Sequence, residues 1–239
     1  MTTPFEPLLR VANVAKTFEI HAQNARRLNV LSDLSFEVFA GECVALVGPS
    51  GTGKSSLMRM IYGNYHVTAG RIDVWRESAY IDLARLDDRA ILALRNTTIG
   101  YVSQFLRVIP RVATIDLVAE PLLSSGVMRD TAYDTAKALL RRLNLPDTLL
   151  DLPPATFSGG EQQRVNIARG MIQRRPIMLL DEPTASIDRA NREVVIAMIN
   201  EVRAAGSAVI GIFHDQDVRD AVATREIDMA AFQPGRQAA

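Results

Sequence analysis

The sequence has little cysteine, no excess of either charge and no long apolar run. Its 239 residues contain one cysteine, Cys43, which excludes an intrachain disulfide framework and a zinc site built from cysteines. Basic and acidic residues number 27 each, so the formal net charge is +0 and bulk charge does not favour nucleic acid as a partner. No apolar run approaches the roughly 18 residues of a membrane-spanning helix. We therefore expect membrane contact only through another subunit.

The first ten residues also lack the basic-then-apolar pattern of a secretory signal. They carry Pro4, Glu6 and Pro7 instead, so we expect a cytoplasmic location. The composition is otherwise that of an ordinary globular protein, with 48% hydrophobic and 23% charged residues. A chain of this length suits one large domain with a substantial buried core.

Apolar periodicity predicts a set of strands. A continuous apolar run at 43–47 ends at a glycine, which is typical of a strand buried on both faces of a parallel sheet. Nearer the amino terminus, the pattern predicts strands around 9–14 and at 34–38, with a polar hairpin loop over 19–29. Later strands are predicted at residues 70–75, 98–102, 177–180 and 208–213.

Helices are predicted between these strands, at 54–62 and over 189–205. Residues 114–174 differ from the rest of the chain because strand patterns are missing there. They predict a group of helices with interruptions at Pro121, Gly126, Pro146, Pro153 and Pro154. The whole pattern predicts an α/β fold, in which a βαβ core is interrupted by a helical insertion.

A glycine-rich loop between the strand at 43–47 and the following helix matches the pattern G-x-x-x-x-G-K-S. Its glycines let backbone N–H groups curl around phosphate oxygens, and the helix points its positive end at them. We expect Lys54 to lie between the β- and γ-phosphates of ATP and Ser55 Oγ to ligate Mg²⁺. The residues assigned to the nucleotide are Gly48, Pro49, Ser50, Gly51, Thr52, Gly53, Lys54, Ser55 and Ser56. The alternative, a chance glycine turn, does not explain the flanking strand and helix.

Two adjacent carboxylates, Asp181 and Glu182, follow the apolar strand at 177–180. The carboxyl ends of parallel strands are where ligands of such sheets bind. We expect Asp181 to hold Mg²⁺ and Glu182 to accept a proton from the attacking water or to orient it. A solvated strand end is the alternative, and the phosphate loop elsewhere in the chain makes it the weaker one.

A second helix start lies at residues 158–164, where Ser158, Gly159, Gly160 and Glu161 open a long helical pattern. Its free N–H groups suit an anion, although a helix cap without a ligand would look the same. His214 follows the strand at 208–213 and can donate to a γ-phosphate if its other nitrogen is suitably held. A lone histidine at a strand end is more often structural.

At this point the chain resembles the ATP-binding cassette (ABC) family across nearly its whole length. The resemblance lies in the order of the motifs: the phosphate loop, Gln104 after a strand, Ser-Gly-Gly at 158–160, Leu-Leu-Asp-Glu-Pro at 179–183, Asp188 and His214. It implies a P-loop NTPase fold with an antiparallel β-subdomain and an inserted helical subdomain. Within a single domain over 1–239, these parts would be 1–103 with the phosphate loop, 104–174 with the signature motif, and 175–239.

The resemblance also implies roles for individual residues. Two cassettes would dimerise head to tail, so that Ser158 and Gly160 of one subunit close over the γ-phosphate held by Lys54 of the other. Phe18 would stack on adenine, Gln104 would sense Mg²⁺ and the water, and Asp188 would couple the two sites. For Phe18 the alternative is packing within the core, since any aromatic face can stack. Glu161 departs mildly from the family, where many members have glutamine.

Three strings resemble one branch more closely, namely the cassette subunits of the bacterial carbon–phosphorus lyase system. They lie at residues 101–111, 156–170 and 211–215. This resemblance implies an ATPase that acts in phosphonate breakdown with the lyase core subunits and a sister cassette. It also implies an association with the step that joins phosphonate to the ribose of ATP, giving ribose 1-phosphonate 5-triphosphate. The sequence shows no separate transferase site.

The process that ATP hydrolysis drives is not fixed by the motifs, and alternatives stay open. Residues 105–111 combine apolar side chains with two arginines, which suits contact with another protein, although internal packing is the other possibility. The ATPase subunit of a lipoprotein-releasing or macrolide-exporting membrane transporter remains the alternative to the lyase system. A DNA-repair cassette would need coiled-coil or zinc-binding insertions, which the chain lacks.

Overall fold

Two sheets organise the fold of the computed structural model, which describes residues 6–20, 26–106 and 110–234. The strands are β1 Leu9–Ile20, β2 Arg26–Val38, β3 Cys43–Val47, β4 Ala69–Arg76, β5 Ala79–Asp82, β6 Ile99–Val102, β7 Ile177–Asp181, β8 Ala208–Ile212 and β9 Arg225–Asp228. The helices are α1 Lys54–Ile61, α2 Asp88–Thr97, α3 Thr114–Ser124, α4 Arg129–Arg142, α5 Gly159–Met171, α6 Arg189–Ala204 and α7 Gln216–Val222.

The first sheet is antiparallel, with the strand order β2-β1-β4-β5. β1 and β2 form the predicted hairpin, but their pairing continues to Ile20 and Arg26, so most of the loop expected at 19–29 is strand. Residues 21–25 lie outside the described ranges. Alternating apolar side chains such as Leu9, Val11 and Leu34 point inward and pack this sheet against the rest of the core.

The second sheet is parallel, with the order β6-β7-β8-β3-β9. β7 and β8 are buried along their whole length, as their continuous apolar sequences predict. Because the strands run the same way, residues at the ends of β3, β6, β7 and β8 meet at one edge of the sheet. This edge carries the functional side chains.

The helical insertion consists of α3, α4 and the first turns of α5. A break at Pro121 was expected here and is wrong, because Pro121 lies inside α3. Burial of Leu117, Val118 and Ala119 against the neighbouring helices outweighs the backbone hydrogen bond that a proline cannot make. Gly126, in contrast, follows the end of α3 with φ of +83°, as the helix-stop interpretation requires.

Four elements have no counterpart in the sequence prediction: β5, α2, α7 and β9. β5, α7 and β9 span only 4, 7 and 4 residues, too few for a distinct period. Cys43 is fully buried in β3, as expected, and burial raises the pKa of its thiol to about 12. Among the described residues, no helix combines the length and apolarity that crossing a bilayer requires.

Candidate nucleotide-binding site

The phosphate loop begins where β3 ends and closes at the first turn of α1. Gly48, Gly51 and Gly53 all have positive φ values, of 123°, 83° and 92°. At Gly53 a side chain is also excluded sterically, because a Cβ would lie 2.8 Å from Leu31 Cδ2 on β2. Gly53 caps α1 without a side-chain hydrogen bond, which leaves the first N–H groups of the helix available to an anion.

Lys54 points back across this loop. Its Nζ donates to the carbonyl oxygens of Gly48, at 2.6 Å, and Pro49, at 2.9 Å. Burial lowers the pKa of Lys54, while the nearby carboxylates of Glu182 and Asp181 oppose that shift. The ammonium is therefore held at the loop, close to both acidic residues, and its predicted place between the β- and γ-phosphates stays a prediction.

Asp181 ends β7 and is only 2% exposed. Its Oδ2 accepts a hydrogen bond of 3.0 Å from the Tyr101 hydroxyl, whereas Oδ1 is buried and has no partner among the described residues. Burial raises the pKa of this carboxyl, and the hydroxyl groups of Tyr101 and Ser55 lower it. A buried oxygen without a donor, next to the hydroxyl of Ser55, fits a divalent cation with oxygen ligands.

Glu182 follows with φ of +53°, an uncommon conformation for a residue other than glycine, and its N–H donates to Ile212 O on β8. The carboxylate then receives two partners. Gln104 Nε2 donates to Oε2 at 3.1 Å, and His214 Nε2 lies 2.7 Å from Oε1. The structure thus brings the three residues predicted to be catalytic together at the ends of three parallel strands.

The signature segment forms a capping box at the start of α5. Ser158 Oγ accepts from the Glu161 N–H, and Glu161 Oε2 accepts from the N–H of Ser158 at 2.8 Å and from its hydroxyl at 2.7 Å. These hydrogen bonds lower the pKa of Glu161. No hydrogen bond or ion pair joins 158–161 to 48–56 within the described ranges. In the described part of one chain, the two predicted halves of the site are therefore not bonded to each other.

Two further predicted residues lie away from the carboxylates. Phe18 packs its ring at 5.3 Å from the ring of Tyr65 in an edge-to-face arrangement, and Lys16 Nζ lies 4.7 Å from the Phe18 centroid. Adenine stacking therefore stays a prediction. Asp188 caps α6 by accepting from Asn191, and its carboxylate lies 3.9 Å from Arg164 on α5. This contact ties Asp188 to the signature helix of its own chain.

Sequence reasoning missed Tyr101. Its hydroxyl contacts Asp181, and burial together with that carboxylate raises its pKa, so it remains a hydrogen-bond donor. A single tyrosine within a short apolar strand carries no signal of this contact, because only the parallel pairing of β6 with β7 brings the two residues together.

A glycine loop between a buried parallel strand and a helix, with a buried aspartate at the same sheet edge, defines a P-loop nucleotide-binding protein. The chain belongs to the ABC transporter family, whose model matches residues 31–185. ABC ATPases bind ATP with Mg²⁺, so the expected cofactors are confirmed at the level of the family.

Relatives and solved structures agree with this assignment. The chain is 35% identical over 213 residues to the probable syringafactin export ATP-binding/permease protein SyfD of Pseudomonas syringae, covering 89% of this chain and 31% of that protein. It is 35% identical over 208 residues to the macrolide export ATP-binding/permease protein MacB of Salmonella choleraesuis, covering 87% and 31%. The chain thus spans about a third of the length of these two relatives.

A relative of similar length is the uncharacterized ABC transporter ATP-binding protein YknY of Bacillus subtilis. It is 30% identical over 213 residues, which are 89% of each chain. The dimeric ATP-binding cassette MJ0796, solved with ADP and Pi, matches with a TM-score of 0.82 and 27% identity over 92% of this chain and 94% of that one. The predicted fold class is confirmed.

Proposed function

We propose that this chain is the ATP-hydrolysing subunit of a larger assembly and that two copies act head to tail. The observation that carries the proposal is the Glu182 carboxylate, which contacts both Gln104 and His214 beside the phosphate loop. Each chain supplies a phosphate loop and a separate signature helix start, so two copies supply two complete sites. A dimeric relative fold supports this arrangement.

The residues of this chain divide the work of hydrolysis. The phosphate loop and Lys54 bind the β- and γ-phosphates, and Glu182 accepts the proton of the attacking water. Gln104 and His214 hold the Glu182 carboxylate and sense the γ-phosphate side of the site. Ser55, Asp181 and Gln104 would hold Mg²⁺, which would neutralise charge on the phosphates when bound.

A chain of contacts from the hydrolysis site to the surface could carry a conformational change caused by ATP hydrolysis. Gln104 contacts Glu182, and the preceding Ser103 carbonyl accepts from Asn166 on α5, the helix that begins at the signature segment. Phe105, which follows Gln104 in the sequence, is 75% exposed. Residues 107–109 of the predicted contact segment lie outside the described ranges. We propose that the partner docks at Phe105.

Two partners are candidates. The curated relatives favour the first, the membrane component of an export-type transporter, since SyfD and MacB are both export ATP-binding/permease proteins. This chain would then supply the ATP hydrolysis that drives such a permease component.

The second candidate rests on a different observation. The strings at 101–111, 156–170 and 211–215 resemble the cassette subunit PhnL of the carbon–phosphorus lyase system. One of these strings contains Phe105, so the resemblance falls on the proposed docking surface itself. The partners would then be the lyase core subunits and a sister cassette. Participation in the formation of ribose 1-phosphonate 5-triphosphate would follow from the same assignment.

Co-purification separates the two candidates. The tagged chain is recovered from its own cells, grown either on phosphate or on a phosphonate as sole phosphorus source. Recovery of integral membrane proteins under both conditions supports the exporter, whereas lyase subunits recovered only from phosphonate-grown cells support the second candidate. A Phe105→Glu variant is the matched control, and it should lose the partner while ATP binding persists. Retention of the partner by that variant would contradict docking at Phe105.

A further inference from the structure

The two oxygens of Asp181 have different surroundings. Oδ2 accepts the Tyr101 hydroxyl at 3.0 Å, while Oδ1 is buried without a partner among the described residues. A carboxylate that is bonded at one oxygen cannot rotate freely, so the other oxygen keeps a fixed direction. We propose that Tyr101 is a positioning residue that holds Asp181 with Oδ1 directed at the metal, an inference that rests on the function proposed above.

Tyr101 is itself held from several sides. It lies on β6, where it pairs with Leu179 of β7, two residues before Asp181. The centroid of its ring lies 4.9 Å from that of the Tyr62 ring. The guanidinium of Arg95 lies over the Tyr62 ring, 4.4 Å from its centroid. Arg95 Nε also donates to Tyr62 O at 2.9 Å. The hydroxyl therefore reaches Asp181 from a rigid support.

Tyr62 also connects this support to the phosphate loop. It caps the carboxyl end of α1, the helix whose first residue is Lys54. The tyrosine pair thus lies between the helix that presents the loop and the strand that presents Asp181. Outer groups that orient a metal ligand affect metal affinity strongly, and their loss costs about 10- to 100-fold in comparable sites.

The test is a Mg²⁺ titration of nucleotide binding with Tyr101→Phe, followed with a fluorescent ATP analogue. The ring and its packing stay, so we expect the affinity for the analogue in EDTA to remain within about twofold of the wild type. The Mg²⁺ concentration for half-maximal tightening should rise about tenfold. Equal losses with and without Mg²⁺ would show a merely structural role and overturn the proposal.

Tyr133→Phe is the matched control. It also removes a hydroxyl that donates to an aspartate, Asp116, but in the helical insertion. Its Mg²⁺ dependence should equal that of the wild type. If Tyr101→Phe also leaves the Mg²⁺ dependence unchanged while the wild type responds to Mg²⁺, the positioning role is wrong and the proposed function survives. A wild type that binds no ATP analogue contradicts the proposed function itself.

Discussion

The phosphate loop and the signature segment both present the start of a helix to an anion. They differ in whether a side chain already caps that helix start. At the loop, Gly53 caps α1 without a side chain, and Asp181 Oδ1 nearby has no donor among the described residues. At the signature segment, Glu161 accepts hydrogen bonds from both the N–H and the hydroxyl of Ser158. The start of α1 has no side-chain cap, whereas the start of α5 carries its own carboxylate.

For the ATP site that we propose is shared between two chains, the difference predicts how its closure is controlled. A phosphate and a cation can enter the loop without displacing any side-chain cap. In the proposed dimer, the γ-phosphate of a partner's ATP would instead compete with the Glu161 carboxylate for Ser158, since like charges repel and one hydroxyl donates one hydrogen bond. We therefore expect that no side chain opposes nucleotide binding at the loop, whereas the Glu161 carboxylate opposes closure of the dimer.

The largest expected effect comes from the first half. Glu182→Gln keeps the shape of the side chain but removes the proton acceptor, so the hydrolysis rate should fall about 100-fold or more. ATP binding should persist, because Lys54 and the loop are unchanged. Steady-state phosphate release and equilibrium nucleotide binding measure the two quantities. Undiminished hydrolysis would remove Glu182 from its assigned role.

A smaller effect is expected from the second half. Glu161→Gln keeps an oxygen acceptor for the Ser158 N–H but removes the charge that competes with the γ-phosphate. Dimerisation driven by MgATP should tighten about fivefold, which corresponds to about 1 kcal/mol. Sedimentation in a hydrolysis-deficient background measures it, with Glu77→Gln at an exposed turn as the control. Weaker dimerisation than in the control would show that Glu161 assists closure.

The smallest effect is on folding stability. The folded state lowers the pKa of Glu161 below its ordinary value of 4.5, so its contribution is present above that value and is lost as pH falls through the folded pKa. At neutral pH, Glu161→Gln should lower the free energy of unfolding by about 0.5–1 kcal/mol through the weaker capping box. The difference from the wild type should shrink as the pH falls from 4.5 through the lowered pKa of the folded state. A difference independent of pH in denaturant titrations would exclude this electrostatic origin.

Sequence patterns predict the half of the site that contains the phosphate loop better than they predict the side-chain contacts around that half. The loop and Glu182 depend on short local patterns, namely glycines before a helix and an apolar strand before two acids. Tyr101 and the capping role of Glu161 depend on which side chains meet in space. The helix expected to break at Pro121 continued because tertiary burial outweighed a local preference, and β5 and β9 were missed for lack of periodicity.

The central claim is that one ATP is held between the loop of one copy and Ser158 of another. Light scattering on Glu182→Gln and on Glu182→Gln with Ser158→Arg, each with and without MgATP, tests it most directly. The single variant should become a dimer with MgATP. The double variant should bind ATP and stay monomeric, because a bulky cation fills the partner's phosphate site. Equal dimerisation of both variants, or a single variant that stays monomeric in saturating MgATP, would contradict the shared site.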